Sequence, residues 1–305
     1  MEKQSLKHLI IASALAFVVT LGTTISFLPI KSNDSKNHPD WMKSLADSTS
    51  LTSLTLPGSH DAAAFYSLED LAGKCQDASI TQQLNYGVRF LDVRLMSYKD
   101  NLYLCHGVVN EGMVFKRLAQ DVYKFLDANP SETIIMSVKE EAKAQASTQS
   151  FESLFYTAIE QFLPYWSLDT SLPLSLGAVR KKIILLSRYE QNTIGIQAYE
   201  GWEDSTTFDL NQMHVQDAYK VSSNEEKWSQ IQETLTYAKA NPSKLTLNFC
   251  SGYLLKGFPP SYSVSTAKYI NPKIKEELSK DAKGILICDF VTPELVDKLL
   301  EGNNL

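Results

Sequence analysis

Leu51-Thr52-Ser53-Leu54-Thr55-Leu56-Pro57-Gly58-Ser59-His60-Asp61 is an apolar, β-type run that ends in a Gly-flanked turn carrying an imidazole and a carboxylate. The same pattern recurs along the chain. Apolar runs at 51–56, 88–95, 102–105, 133–138, 182–187, 213–216, 244–250 and 284–288 alternate with helical stretches at 79–86, 114–128, 150–163, 225–240 and 272–282. The second stretch stops at Asn129-Pro130, a helix terminator. Strand and helix in alternation indicate βαβ units, and no repeat or low-complexity tract interrupts them. Residues 41–305 therefore read as one α/β domain. Eight such runs predict a (β/α)8 barrel with its active site at the carboxyl ends of the strands.

That rule requires ionisable residues to gather at those ends, and they do. In chain order the runs deliver His60 with Asp61, Asp92 with Arg94, His106, Lys139 with Glu140, Arg188, Asp217 with Tyr219, Ser251, and Asp289. A lone histidine in a loop means little. Two of only five, both at strand ends, suggest a base and an acid, since imidazole takes or gives a proton near neutrality. Asp92 and Arg94 are two apart on one strand and share a face. A guanidinium there disfavours a bound cation and offers a fork for phosphate oxygens; a buried salt bridge to Asp92 is the plainer alternative. The simplest chemistry is phosphodiester cleavage without a metal or other cofactor.

The net charge of -6 gives no basic footprint for nucleic acid and no strong overall attraction to anionic lipid. Residues 9–30 are nearly uncharged and follow Lys3, Lys7 and His8. They read as an export signal or an amino-terminal membrane anchor, set off by a polar spacer at 31–40. The expected location is secreted or extracellular, with tethering through 9–30 as the alternative. Cys75, Cys105, Cys250 and Cys288 lack metal-type spacing, and no disulfide is inferred. No protein partner is inferred.

The motifs carry a resemblance. Leu56-Pro57-Gly58-Ser59-His60-Asp61, Phe90-Leu91-Asp92-Val93-Arg94, Leu104-Cys105-His106-Gly107, the stretch 129–139, Ile184-Leu185-Leu186-Ser187-Arg188, the stretch 215–221, Leu247-Asn248-Phe249 and Ile287-Cys288-Asp289 resemble the bacterial phosphatidylinositol-specific phospholipases C, which share the phospholipase C X-domain. The resemblance implies a distorted TIM-type barrel and cleavage of phosphatidylinositol to diacylglycerol and a cyclic inositol phosphodiester. By its motifs His60 is the general base and Asp289 orients it. His106 is the general acid, assisted by Asp61, and Arg94 binds the phosphate. Asp92 is the acidic residue of Arg94's strand, expected with the substrate-binding group. Lys139, Arg188 and Asp217 bind inositol hydroxyls, and the sugar ring packs on Tyr219. Trp202 lies near the sugar-binding stretch, although a Trp is more often a packing residue.

A lipid substrate requires a surface that meets a bilayer. The turn-rich stretch 253–262 presents Leu255 and Phe258 as the membrane-contact candidates. Glycosyl-phosphatidylinositol is a further candidate substrate. Two alternatives stay open: a metal-dependent glycerophosphodiester phosphodiesterase, which needs a carboxylate where Arg94 stands, and a non-catalytic inositol- or glycan-binding module, which needs no acid–base set.

Overall fold

The computed structural model describes residues 37–65, 74–107, 109–172, 175–190, 193–254 and 263–303. The segment 9–30, most of the spacer, Leu255 and Phe258 lie outside these residues. Strand β1 (Thr55–Ser59) sits mid-sheet, parallel to β2 (Phe90–Tyr98) on one side and β14 (Gly284–Cys288) on the other. Beyond β2 come β5 (Ile134–Gln145) and β7 (Ile183–Arg188), and beyond β14 come β12 (Leu245–Phe249) and β10 (Met213–Gln216), all parallel to their neighbours. Every residue of β1, β7, β12 and β14 is buried. Strands covered on both faces need such continuous apolar runs.

The α/β class holds, but the sheet does not close into an eight-stranded barrel. The outer edge of β7 is filled by two short strands, β6 (Trp166–Ser167) at its start and β8 (Ile196–Gln197) at its end. The outer edge of β10 is filled by β9 (Thr207–Leu210), which runs antiparallel to it. Both hydrogen-bonding edges are therefore occupied, and among the described residues no pairing joins them. A second correction concerns the run 102–105. It forms β3 (Asn101–His106), antiparallel to β2 and followed by β4 (Val109–Val114), so it belongs to a hairpin rather than to the parallel set. Lys99 and Asp100 make its tight turn with φ of 48° and 56°, the left-handed pair that hairpin turns require. The first run also shifts. Leu51–Ser53 is a 3-10 turn, closed where the Ser53 hydroxyl donates to the Ser50 carbonyl at 2.7 Å; serine competes locally with strand formation in this way.

Helix α1 (Ile80–Tyr86) starts at a capping box between Ser79 and Gln82. Helix α2 (Phe115–Ala128) buries Phe115, Leu118, Ala119, Val122 and Leu126 at helical spacing. Helix α3 (Phe151–Ile159) ends before 163, because a 3-10 turn containing Pro164 follows. Helix α4 (Asn224–Ala240) is capped by Ser223. Helix α5 (Ser263–Glu277) contains Pro272 rather than starting at it, and Thr266, Ala267, Ile270 and Ile274 make its continuous buried face. Helix α6 (Pro293–Leu300), absent from the sequence reading, is capped by Thr292 and buries Leu295, Val296, Leu299 and Leu300. All four cysteines are free and buried. No helix of the described residues is long and apolar enough to cross a membrane.

Candidate active site

Strands β1, β2, β5, β7, β10, β12 and β14 direct their carboxyl ends toward one cavity of about 630 Å³. At the end of β1 the backbone turns sharply: Asp61 has φ of 40°. Its N–H donates to Asp92 Oδ2 at 3.3 Å, and the N–H of Ala62 donates to the Asp92 carbonyl at 2.8 Å. Strand β2 thus holds the turn that presents His60. Glycine at 58 suits the close approach of β14, since a Cβ there would lie 3.2 Å from the Leu286 carbonyl and press the neighbouring strand outward by a few tenths of an ångström.

His60 Nδ1 is 2.7 Å from Asp289 Oδ1, and His60 Nε2 is 2.7 Å from Arg94 Nη2. A guanidinium only donates, so Nε2 accepts and the proton resides on Nδ1, facing the carboxylate. The ring is neutral, with its basic lone pair at the cavity. Burial and the Arg94 charge disfavour protonation of His60, but the Asp289 carboxylate, by charge and hydrogen bond, together with Asp92 outweighs them, and the pKa ends above the ordinary value.

Arg94 reaches Asp92 Oδ2 through Nε and Nη2 at 3.2 and 3.1 Å, and Glu141 Oε1 through Nη1 at 3.2 Å. It is therefore both salt-bridged and part of the cavity wall. Asp92, expected among the substrate-binding residues, is fully buried beneath the floor. It bonds Arg94 and, through Oδ1 at 3.4 Å, Arg188 Nη1, so one carboxylate holds two guanidinia. Those two charges hold its carboxyl well below the usual range despite burial.

Across the cavity, His106 Nε2 stands 3.7 Å from Asp61 Oδ2. The side chain of Asp61 is 2 % exposed, and Oδ2 has no hydrogen-bond partner. Burial pushes the Asp61 carboxyl up to about 7, while burial and the neighbouring positive charges push His106 down to about 4. Asp61 therefore titrates near neutrality beside a neutral His106, so a proton held here resides on the carboxyl that faces the imidazole.

On the far wall Lys139 Nζ pairs with Glu141 Oε2 at 2.6 Å. Glu141, not Glu140, is the acidic neighbour of Lys139 in the cavity. Strand side chains alternate, so 139 and 141 share a face while 140 points away; that alternation is the signal the sequence reading passed over. Arg188 lies 3.6 Å from the Trp202 ring centroid, and Trp202 Nε1 donates to Asp217 Oδ2 at 3.0 Å. The Tyr219 hydroxyl donates to Asp204 Oδ1 at 2.5 Å, and Lys220 Nζ is 2.7 Å from Asp204 Oδ2. Asp204, Glu203 and Cys75 line the cavity without having been singled out, and Ser251 joins them as expected. A neutral imidazole acceptor, a raised carboxyl beside a second imidazole and a guanidinium converge here. Such a set takes one proton, gives another and neutralises an anion between the two transfers.

Residues 56–189 match the phosphatidylinositol-specific phospholipase C X domain. A 1-phosphatidylinositol phosphodiesterase of Listeria monocytogenes is 30% identical over 287 residues, spanning 90% of this chain and 87% of that protein. One of Staphylococcus aureus is 29% identical over 304 residues, covering 88% and 95%. Among solved structures, a Staphylococcus aureus phosphatidylinositol-specific phospholipase C, from work on modulation of its membrane binding, superposes with a TM-score of 0.80 at 26% identity, covering 89% of this chain and 99% of that one. The Listeria monocytogenes enzyme gives 0.75 at 28% identity, covering 88% and 100%. With this fold, these strand-end residues and these relatives, the chain belongs to the bacterial phosphatidylinositol-specific phospholipase C family.

Proposed function

We propose that this chain cleaves phosphatidylinositol to diacylglycerol and a cyclic inositol phosphodiester without help from a metal or other cofactor. The observation that carries the reading is the Asp289–His60–Arg94 chain, at 2.7 Å on each link, facing the Asp61–His106 pair. His60 Nε2 takes the proton of the inositol hydroxyl beside the phosphate. The freed oxygen attacks phosphorus, the bond from phosphorus to the diacylglycerol oxygen breaks, and the Asp61–His106 proton passes to that oxygen. Arg94 shifts from His60 Nε2 to the phosphate oxygens, which frees the base as the substrate seats. The nucleophile is already part of the substrate, so positioning supplies much of the rate. Arg94 supplies the charge neutralisation.

Lys139, Arg188 and Asp217 bind the ring hydroxyls and Tyr219 packs on the ring, with Glu141 and Asp204 holding them from behind. Trp202 acts by bracing Arg188 and Asp217. A guanidinium at 94 weighs against the metal-dependent phosphodiesterase, and the intact acid–base set weighs against a binding module. Export through residues 9–30, contact with a membrane through Leu255 and Phe258, and action on glycosyl-phosphatidylinositol complete the proposal.

Phosphorus NMR of the purified chain with phosphatidylinositol and a chelator tests it. A cyclic phosphodiester resonance is expected. No turnover, or turnover only with added calcium, would remove the proposal.

A further inference from the structure

Cys75 brings a soft donor to the floor of the cavity. The backbone fixes it from two sides: its N–H donates to the Ala64 carbonyl at 3.0 Å, and its carbonyl accepts from Phe290 at 2.8 Å. Its thiol sulfur, a carboxylate oxygen of Asp61 and a ring nitrogen of His106 all lie within 4.8 Å of one another. Asp61 Oδ2 is the second observation. It is buried, lacks a hydrogen-bond partner and faces His106 Nε2 at 3.7 Å. We propose that Asp61, Cys75 and His106 form an inhibitory site for a thiophilic divalent cation, with zinc as the best fit.

Thiolate, imidazole and carboxylate are zinc ligands, and tetrahedral zinc holds such atoms about 3.3–3.6 Å apart. The His106–Asp61 separation is close to that range, and a contraction of about 1 Å brings a wider sulfur separation into it. Calcium and magnesium prefer all-oxygen sets and gain little from this trio. Arg94 Nε lies 3.9 Å from Asp61 Oδ2, which would repel a bare dication. One thiolate and one carboxylate cancel the two charges of zinc, so the complex adds no net charge beside the guanidinium once the thiol proton has left. His106 is partly exposed and borders the cavity, which gives the ion its entry and leaves its fourth position open. A bound zinc occupies both members of the proton-donating pair, so leaving-group protonation stops. The binding stands independently of the phospholipase reading; the inhibition rests on it.

The test is competition of the full chain against a chromophoric zinc chelator, together with cadmium titration read by the near-ultraviolet sulfur-to-cadmium band. One zinc per chain is expected. Affinity should fall by at least roughly tenfold in both Cys75→Ser and His106→Ala, and the cadmium band should vanish in Cys75→Ser. His106→Ala keeps the test open if the thiol variant fails to fold. Undiminished affinity in both variants, a persisting band, or no zinc bound at micromolar concentration would overturn the site. In the parallel assay, zinc should stop cleavage of a soluble inositol phosphodiester whose leaving group needs protonation, and each variant should resist zinc relative to its own rate in chelator. Zinc binding at the trio without loss of turnover would overturn the inhibition alone. A chain that binds zinc but turns over no substrate even in chelator would sink the phospholipase reading and leave the site standing.

Discussion

Nδ1 of His60 is committed to Asp289, so any proton the ring accepts arrives at Nε2, where Arg94 stands. Against burial and Arg94, the Asp289 and Asp92 carboxylates together raise the His60 pKa above 6.5, while Asp61 sits at about 7. A base must be unprotonated, so kcat/KM on a soluble inositol phosphodiester should fall as pH drops through the raised His60 value. The acid must hold its proton, so kcat/KM should also fall as pH rises past the Asp61–His106 value. The expected profile is a narrow bell near neutrality. Asp61→Asn should lower the rate and flatten the alkaline limb, whereas an unchanged limb would count against a proton held on Asp61. His60→Ala should cost roughly 10²–10⁴-fold in kcat, the usual worth of a positioned base.

At the scale of elements, α4 controls the turn that carries Asp217. Lys227 on α4 is fully buried, and its ammonium donates to Gln216 Oε1 at 3.0 Å and the Ala218 carbonyl at 2.8 Å, the residues flanking Asp217. Burial drags its pKa down to about 8. Lys227→Met removes a costly buried charge but leaves the Ala218 carbonyl without its donor, at about 1–3 kcal/mol, while Gln216 Oε1 keeps the Ala218 N–H at 2.8 Å. Substrate kinetics should show KM rising more than kcat falls, and Lys227→Arg should restore part of the loss; equal changes in both constants would argue for general destabilisation. Elements with purely local signals were legible in the sequence. Met213–Gln216 and Gly284–Cys288 form where the apolar runs predict, and α1 begins at Ile80, one residue after its predicted start, because Ser79 is its cap. Pro272 misled because proline favours a first helical turn, whereas the buried stripe from Thr266 to Ile274 carries the helix through it. Thr292-Pro293 did announce α6, and was passed over. Closure of the sheet was not legible, because it depends on which strand occupies a distant edge. His106 does end a strand, although that strand belongs to a hairpin rather than to the parallel set.

At the scale of the whole molecule, the end of the sheet opposite the cavity is locked by one ion pair. Arg89 precedes β2 and Glu132 precedes β5, and Arg89 Nη2 meets Glu132 Oε2 at 2.7 Å with both side chains fully buried. The guanidinium also donates to the carbonyls of Leu84, Val88 and Pro39, tying the amino-terminal segment beneath the strands. Glu132→Ala strands that charge and should cost about 3–5 kcal/mol in urea unfolding, while kcat of the folded fraction stays near normal. Membrane contact belongs to this scale too. Leu255→Ala with Phe258→Ala should weaken vesicle binding and spare cleavage of a soluble inositol phosphodiester; equal loss in both assays would count against that surface. The unclosed sheet has a kinetic consequence. A closed barrel has no weak seam, but here β8 and β9 are short strands at the two edges. Their amides should exchange with deuterium through local opening, well before those of β1 and β14 at the sheet centre. The protein should breathe from that side, beside Arg188 and Asp217, while the dyad of His60 and Asp289 stays shut until the molecule unfolds as a whole.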